Sequence, residues 1–226
     1  MPLWIALTFI AALFQTWRTA LQQKLRATLS VNGASFVRFV YGVPFGLALL
    51  LAALAVSGAR LPAPNREFLL ECVLAGALQI VGTGLLILAF GFRSFAVGSA
   101  YAKTEGVQTA LVAWLIAGER LRLVAWVGIL IGVVGVLTLS LAGHGMRLRG
   151  LLRATFQPAA LCGLGTGLCF AFVSVLIKWA NLALHGGHPI IQAIYALVVT
   201  NVMQTVLLGG WLLWREPRQI IAAMPN

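Results

Sequence analysis

Long uninterrupted apolar runs fill the chain, and short clusters of glycine, proline and basic residues punctuate them. A helix needs about 20 apolar residues to cross the hydrocarbon core of a bilayer. Seven runs meet that requirement, and they predict membrane helices over residues 3–22, 34–56, 71–92, 94–118, 123–141, 158–178 and 189–214. The runs lack the alternating polarity of barrel strands, so the predicted fold class is all-α, a polytopic transmembrane helix bundle. Breakers stand between the runs at Val31-Asn32-Gly33, at residues 57–64, at Gly143-His144-Gly145 and at Gly186-Gly187-His188-Pro189. Trp4, Trp126, Trp179, Trp211 and Trp214 fall near run ends, where an amphipathic indole suits the headgroup boundary.

Composition closes off the alternatives. Of the 226 residues 61% are hydrophobic and 9% are charged, with a mean hydropathy of +0.96. Soluble domains carry about a quarter charged residues, so a water-soluble globule is excluded. The formal charge of +11 comes from bases set singly or in small groups between apolar runs, not from a basic stripe. That is the distribution of Lys and Arg at membrane boundaries, and it argues against nucleic acid as a partner. Cys72, Cys162 and Cys169 all lie inside apolar runs and read as packing residues, not as a disulfide framework. The first ten residues lack the basic region of a cleaved signal peptide, so the first run is expected to stay as a helix.

The chemistry concentrates in the fourth run. Glu105 and Lys103 stand near its middle, where an ionised side chain costs roughly 2.5–3.5 kcal/mol on insertion scales. Residues two apart on a helix point to nearly opposite sides, so these two cannot neutralise each other. Glu105, placed about midway along the predicted helix, shares a face with Tyr101, Gln108 and Val112 by the three-and-four spacing. A carboxylate, an amide and a phenol on one face read as a substrate or proton site, weighed against a buried glutamate that fixes helix packing. Lys103 faces the other way, toward a substrate carboxylate, Gln79, a partner or a lipid headgroup. Gln15, Thr16 and Trp17 in the first run and Gln79 and Thr83 in the third are further substrate contacts or helix–helix hydrogen bonds. Arg18, Arg38, Lys103 and Lys178 outnumber the single intramembrane acid, a bias toward anionic or zwitterionic solutes if they face a cavity. Near span ends Arg18, Arg38 and Lys178 read equally as snorkelling residues. Glu119 beside Arg120 and Arg122 reads as an interfacial ion pair.

Other chemistries are not supported. His185 and His188 sit in a glycine-broken loop with no acid or Cys nearby, so no metal is expected, and no cofactor. The chain has no Asp for an aspartyl protease, no His-Glu-x-x-His, and no mid-span lysine in its last run for a Schiff base. An enzyme is not expected.

Glycine pairs at Gly42/Gly46, Gly128/Gly132 and Gly163/Gly167 have the spacing that lets helix backbones approach in lipid. The chain also repeats its helix order: Lys24 closes the first helix as Lys178 closes the sixth, and the same offset carries Ala34 onto His188. An odd-numbered repeat enters the membrane in opposite directions in its two copies, the inverted-repeat logic of secondary transporters.

Three stretches carry a resemblance. Gly98-Ser99-Ala100-Tyr101, the helix end Leu115-Ile116-Ala117-Gly118-Glu119-Arg120-Leu121, and the glycine-patterned helix from Trp126 through Gly128, Gly132 and Gly135 resemble the end of an EamA domain. Such domains belong to the drug/metabolite transporter superfamily, and Arg38 matches an arginine common early in their second helix. The resemblance covers residues 1–142 well and 158–214 less specifically. It implies ten helices in two inverted repeats around a central path, residence in the cell (inner) membrane, and movement of small metabolites such as amino acids, usually outward. The chain departs from this pattern by ending three helices early and by its polar Ala102-Lys103-Thr104-Glu105-Gly106 stretch.

The expected organisation is a first five-helix repeat over 1–142, a basic linker over 143–157, and the first two helices of a second repeat over 158–226. Expected partners are the lipid bilayer, a small solute, protons, and a dimer mate or complementary transporter fragment. The alternative is a truncated or split subunit that needs a partner chain or has only a structural role. Boundary charges favour an external N-terminus, whereas the resemblance implies a cytoplasmic one.

Overall fold

A computed structural model describes residues 3–25, 28–92, 101–116, 118, 122–142, 157–185 and 188–223. Residues 94–100, Glu119 and Arg120, Gly143 to Gly145, the rest of the linker to 156, and Gly186 and Gly187 lie outside the described residues. Within them the chain is helical, in the order α1 (Leu3–Leu25), α2 (Val31–Ser57), α3 (Arg66–Phe90), α4 (Glu105–Ile116), α5 (Leu123–Ala142), α6 (Pro158–Ala183), α7 (Pro189–Arg215) and a short α8 (Pro217–Ala223). This is the all-α membrane bundle that the apolar runs predict.

Local chemistry sets several helix limits. Ser30 caps α2 by accepting from the Gly33 N–H at 3.1 Å, and Asn65 caps α3 by accepting from the Phe68 N–H at 2.8 Å. Gly58 ends α2 with φ +60°, a conformation glycine adopts without strain. Pro158 and Pro189 open α6 and α7, where their missing N–H has no helical partner to lose.

The fourth run departs from expectation. Glu105 is not midway along a helix but is the first residue of α4. Ahead of it, Tyr101 and Ala102 are helical, and Lys103 and Thr104 make a turn between them and α4. Thr104 is the physical cause: its hydroxyl donates back to the Tyr101 carbonyl at 2.6 Å, while its own carbonyl accepts from the Gln108 N–H at 3.0 Å and starts α4. Among the described residues four helices, α2, α3, α6 and α7, are long and apolar enough to cross a membrane by length and composition, and α4 is shorter.

Close backbone approach builds the centre. At Gly82 of α3 an added Cβ would lie 2.8 Å from the Phe170 ring and 2.9 Å from Cys169 Cβ of α6, and the Gly82 carbonyl accepts from the Thr166 hydroxyl at 3.2 Å. Gly42 and Gly46 of α2 meet Asn201 and Val198 of α7, as the spacing predicts. Gly167 of α6 meets the Gln108 amide and the Glu105 backbone nitrogen, which seats α4 on α6. Gly128 and Gly132 differ from the packing role expected of them: among the described residues nothing comes within 4 Å of a Cβ built at either. α5 instead touches α4 through an edge contact of Trp126 on Trp114. Along α1, Phe9, Leu13, Phe14 and Trp17 are exposed. In a bilayer such faces contact lipid tails at no hydrophobic cost.

Two ends can be told apart. At one, the Asn65 side chain before α3 donates to the Ala183 carbonyl of α6, and the α2 C-terminus packs with the α7 N-terminus through Leu50, Ala53, Ile191 and Ile194. At the other, Leu29 and Ala34 by the α2 N-terminus pack with Ile87 and Phe90 of α3, and Phe36 and Phe39 pack with Leu208 and Leu212 of α7.

Candidate functional site

Polar groups inside a membrane bundle need protein partners or water, so the spaces between the helices show where function can sit. One is a cavity of about 800 Å³, lined in part by Gln15 and Arg18 of α1, Arg38 of α2, Gln79 of α3, Glu105 of α4 and Ser174 of α6. A second space of about 390 Å³ shares Arg18, Arg38, Gln79 and Leu197 with it and extends among Asn181, Thr200, Asn201 and Gln204. The two adjoin along these shared residues and are treated together as one hollow.

The surrounding bonds orient its charged groups. Arg38 Nη1 donates to the buried Thr83 hydroxyl at 2.8 Å, and the guanidinium lies 5.5 Å from the Phe39 ring centroid. An arginine held at both hydrogen bond and aromatic face keeps its remaining donors aimed in fixed directions. Gln204 Nε2 donates to Gln79 Oε1 at 2.9 Å, tying α7 to α3 at the wall of the hollow. Glu105 occupies the first turn of α4, where the positive end of the helix dipole favours a carboxylate. Among the described residues neither Glu105 nor Arg18 has a hydrogen-bond or ion-pair partner, so opposite charges line one hollow without closing on each other.

The structure brings Gln15, Gln79 and Glu105 of the expected site together and disperses the others. Lys103, in the turn before α4, lines a separate space of about 400 Å³ beside Gly128 and Gly132. Tyr101 is buried against Ala160 and Leu164. Gln108 donates to the Thr104 hydroxyl and to the Leu164 carbonyl, so its amide belongs to the α4–α6 joint. The break at Lys103 and Thr104 is what separates Tyr101 from the Glu105 face. Trp17 is 63% exposed and stacks on Phe14 along the outside of α1. Gln79, considered for Lys103, pairs with Gln204.

Asn181, Thr200, Asn201 and Gln204 join the site without a sequence expectation, and the sequence leaves Arg18 and Arg38 open between cavity and span end. A signal existed for part of this set: Leu197, Thr200, Asn201 and Gln204 follow the three-and-four spacing of one helix face.

Comparison with known families fits this architecture. A family model described as the EamA-like transporter family matches residues 2–141, more than half of the chain. The chain belongs to the EamA-like transporter family. The EamA resemblance read from Gly98 to Tyr101 and from the glycine-patterned helix is therefore membership. EamA-like proteins are transporters and not enzymes, which places this chain among membrane transport proteins with lipid around its apolar faces. No curated protein and no solved structure matches the chain.

Proposed function

We propose that this EamA-like chain is a multi-pass transporter of the cell (inner) membrane that carries a small zwitterionic or anionic organic solute by alternating access through the hollow between α1, α2, α3, α4, α6 and α7. The observation that carries this reading is the meeting of Arg18, Arg38 and Glu105 around one cavity of about 800 Å³ without mutual neutralisation. Ligand sites run to about 300–1,000 Å³, so the space suits a small metabolite. Arg18 and Glu105, without hydrogen-bond or ion-pair partners among the described residues, are open to a ligand that supplies them. A solute carboxylate fits the two guanidiniums, and an ammonium group or a transported proton fits Glu105. Gln15 and Gln79 supply uncharged contacts. Lys103, Tyr101, Gln108 and Trp17 lie outside this contact set.

Residues 1–142 act in this reading as the first inverted repeat, 143–157 as a linker, and 158–226 as the start of the second. A second reading is favoured by α1, whose apolar face from Phe9 to Trp17 is uncovered while it walls the cavity. In it the chain works as a subunit, with a second copy or a complementary fragment covering α1.

Uptake and efflux of a panel of zwitterions, carboxylates and organic cations by reconstituted vesicles tests the function. Saturable movement of a carboxylate-bearing solute, lost in Arg38→Gln, is expected. Selective movement of permanent cations would falsify the assignment. Chemical crosslinking of the same vesicles separates a working monomer from an assembly.

A further inference from the structure

A strap crosses one end of the bundle. After α7 the chain turns at Glu216, and α8 lies against the start of α2. The Ser30 hydroxyl donates to Glu216 Oε2 at 2.8 Å, and the Ser30 backbone N–H donates to Gln219 Oε1 at 3.0 Å. Ile220 packs on the cluster of Phe36, Phe39, Leu208 and Leu212. The hydroxyl that binds Glu216 also accepts from the Gly33 N–H, so the strap and the α2 cap share one group. Beside it, Leu29, Ala34, Ile87 and Phe90 fill the space between α2 and α3.

The hollow runs toward the other end. The charged cavity shares Ser174, and the smaller space shares Ile177 and Asn181, with a shallow vestibule of about 550 Å³. The vestibule is lined further by Lys178, Pro189 and Gln192, at the connection between α6 and α7. Shared walls thus link that connection to the spaces that Arg38 and Glu105 line. A groove of about 400 Å³ also leaves the arginines between α1 and α2, but apart from Gln22 and Tyr41 its further walls are apolar, with Leu21, Leu25, Val37 and Phe45, and suit lipid tails rather than an ionic solute.

We propose that solute enters through the vestibule of Lys178, Asn181 and Gln192, and that the strap of Glu216, Gln219 and Ile220 on Ser30 is the gate at the opposite end. The proposal rests on the carrier reading above. The strap is the contact suited to open: it consists of a few hydrogen bonds that water can replace and one isoleucine. The α3–α6 seam at Gly82, by contrast, is a close backbone approach that holds the frame. Alternation then requires Ser30 to release Glu216 and Gln219 while the vestibule closes.

An ideal Cβ at Gly33 lies 3.5 Å from Gln219 Cβ, within the range of roughly 3.5–4.5 Å that a disulfide spans. The test uses chains with Cys72, Cys162 and Cys169 replaced by Ala, in vesicles of either orientation, with a membrane-impermeant thiol reagent. Ser174→Cys is expected to label from the same face as His185→Cys and not from the strap face. Oxidised Gly33→Cys/Gln219→Cys is expected to keep that pattern and lose solute uptake, with a reductant restoring it. Glu216→Ala/Gln219→Ala is expected to raise labelling of Ser174→Cys from the strap face severalfold. Three results overturn the proposal: strap-face labelling with the strap intact, no change on loosening it, or uptake that survives the disulfide. Strap-dependent labelling in a reduced chain that moves no solute overturns the carrier reading, and the gate role with it, while leaving the access route in place.

Discussion

Arg38 of α2 donates to Thr83 of α3 at 2.8 Å, and through this bond the third helix aims a guanidinium that the second helix carries. Thr83 is fully buried and has no route to a solute of its own, so its effect on transport passes through Arg38. Hydrogen bonds to charged groups contribute about 1.5–3 kcal/mol. Thr83→Val, which keeps the shape and removes the acceptor, is expected to raise KM about tenfold or more. Thr83→Ser is expected to restore it. Equal KM for the valine and serine variants would show that Thr83 does not position Arg38.

Glu105→Gln keeps the size of the side chain and removes its charge from the cavity. With protein level held constant, transport is expected to be abolished or to lose its dependence on pH. Uptake measured across a pH series in wild type and variant decides this, and superimposable profiles would take Glu105 out of the mechanism.

The arginines and the lysine are expected to separate by solute. Arg18→Gln and Arg38→Gln should weaken carboxylate-bearing solutes more than their uncharged amide analogues, because the lost partner is an anion's. Lys103→Gln, in its separate space beside α5, should leave that ratio unchanged. Competition assays with a carboxylate and its amide read the ratio directly.

Two glycines of similar appearance should behave in opposite ways. Gly82→Val places new atoms against Phe170 and Cys169, where even a Cβ would lie within 3 Å. Overpacking of this kind destabilises by about 1–3 kcal/mol or more, so the variant should unfold at lower temperature in detergent. Gly128→Val meets no described neighbour and should melt close to wild type. Similar losses for both variants would mean that α5 is packed more closely than its open face indicates.

Some of this was legible along the chain. A helix that crosses lipid must be apolar along its whole length, a local property, so the lengths of α2, α3, α6 and α7 followed from hydropathy alone. The opposed directions expected of Lys103 and Glu105 assumed one continuous helix, and the turn at Lys103 and Thr104 removes that basis. The break before Glu105 was less visible: an apolar run read as one helix hides a threonine that bonds back to Tyr101, because the choice between helix and turn rests on one local hydrogen bond.

The sequence by itself determined that the chain is a helical membrane protein of the EamA kind with ionisable residues inside its apolar runs. Only the tertiary structure decided which charges meet. Arg18, Arg38, Gln79, Glu105 and Gln204 come from five helices, and packing through Gly42, Gly82 and Gly167 turns them toward one hollow while it sends Lys103, Tyr101 and Trp17 elsewhere. Spacing along one helix specifies a face, but what that face meets depends on the closeness and rotation of its neighbours, and those are properties of the assembled bundle.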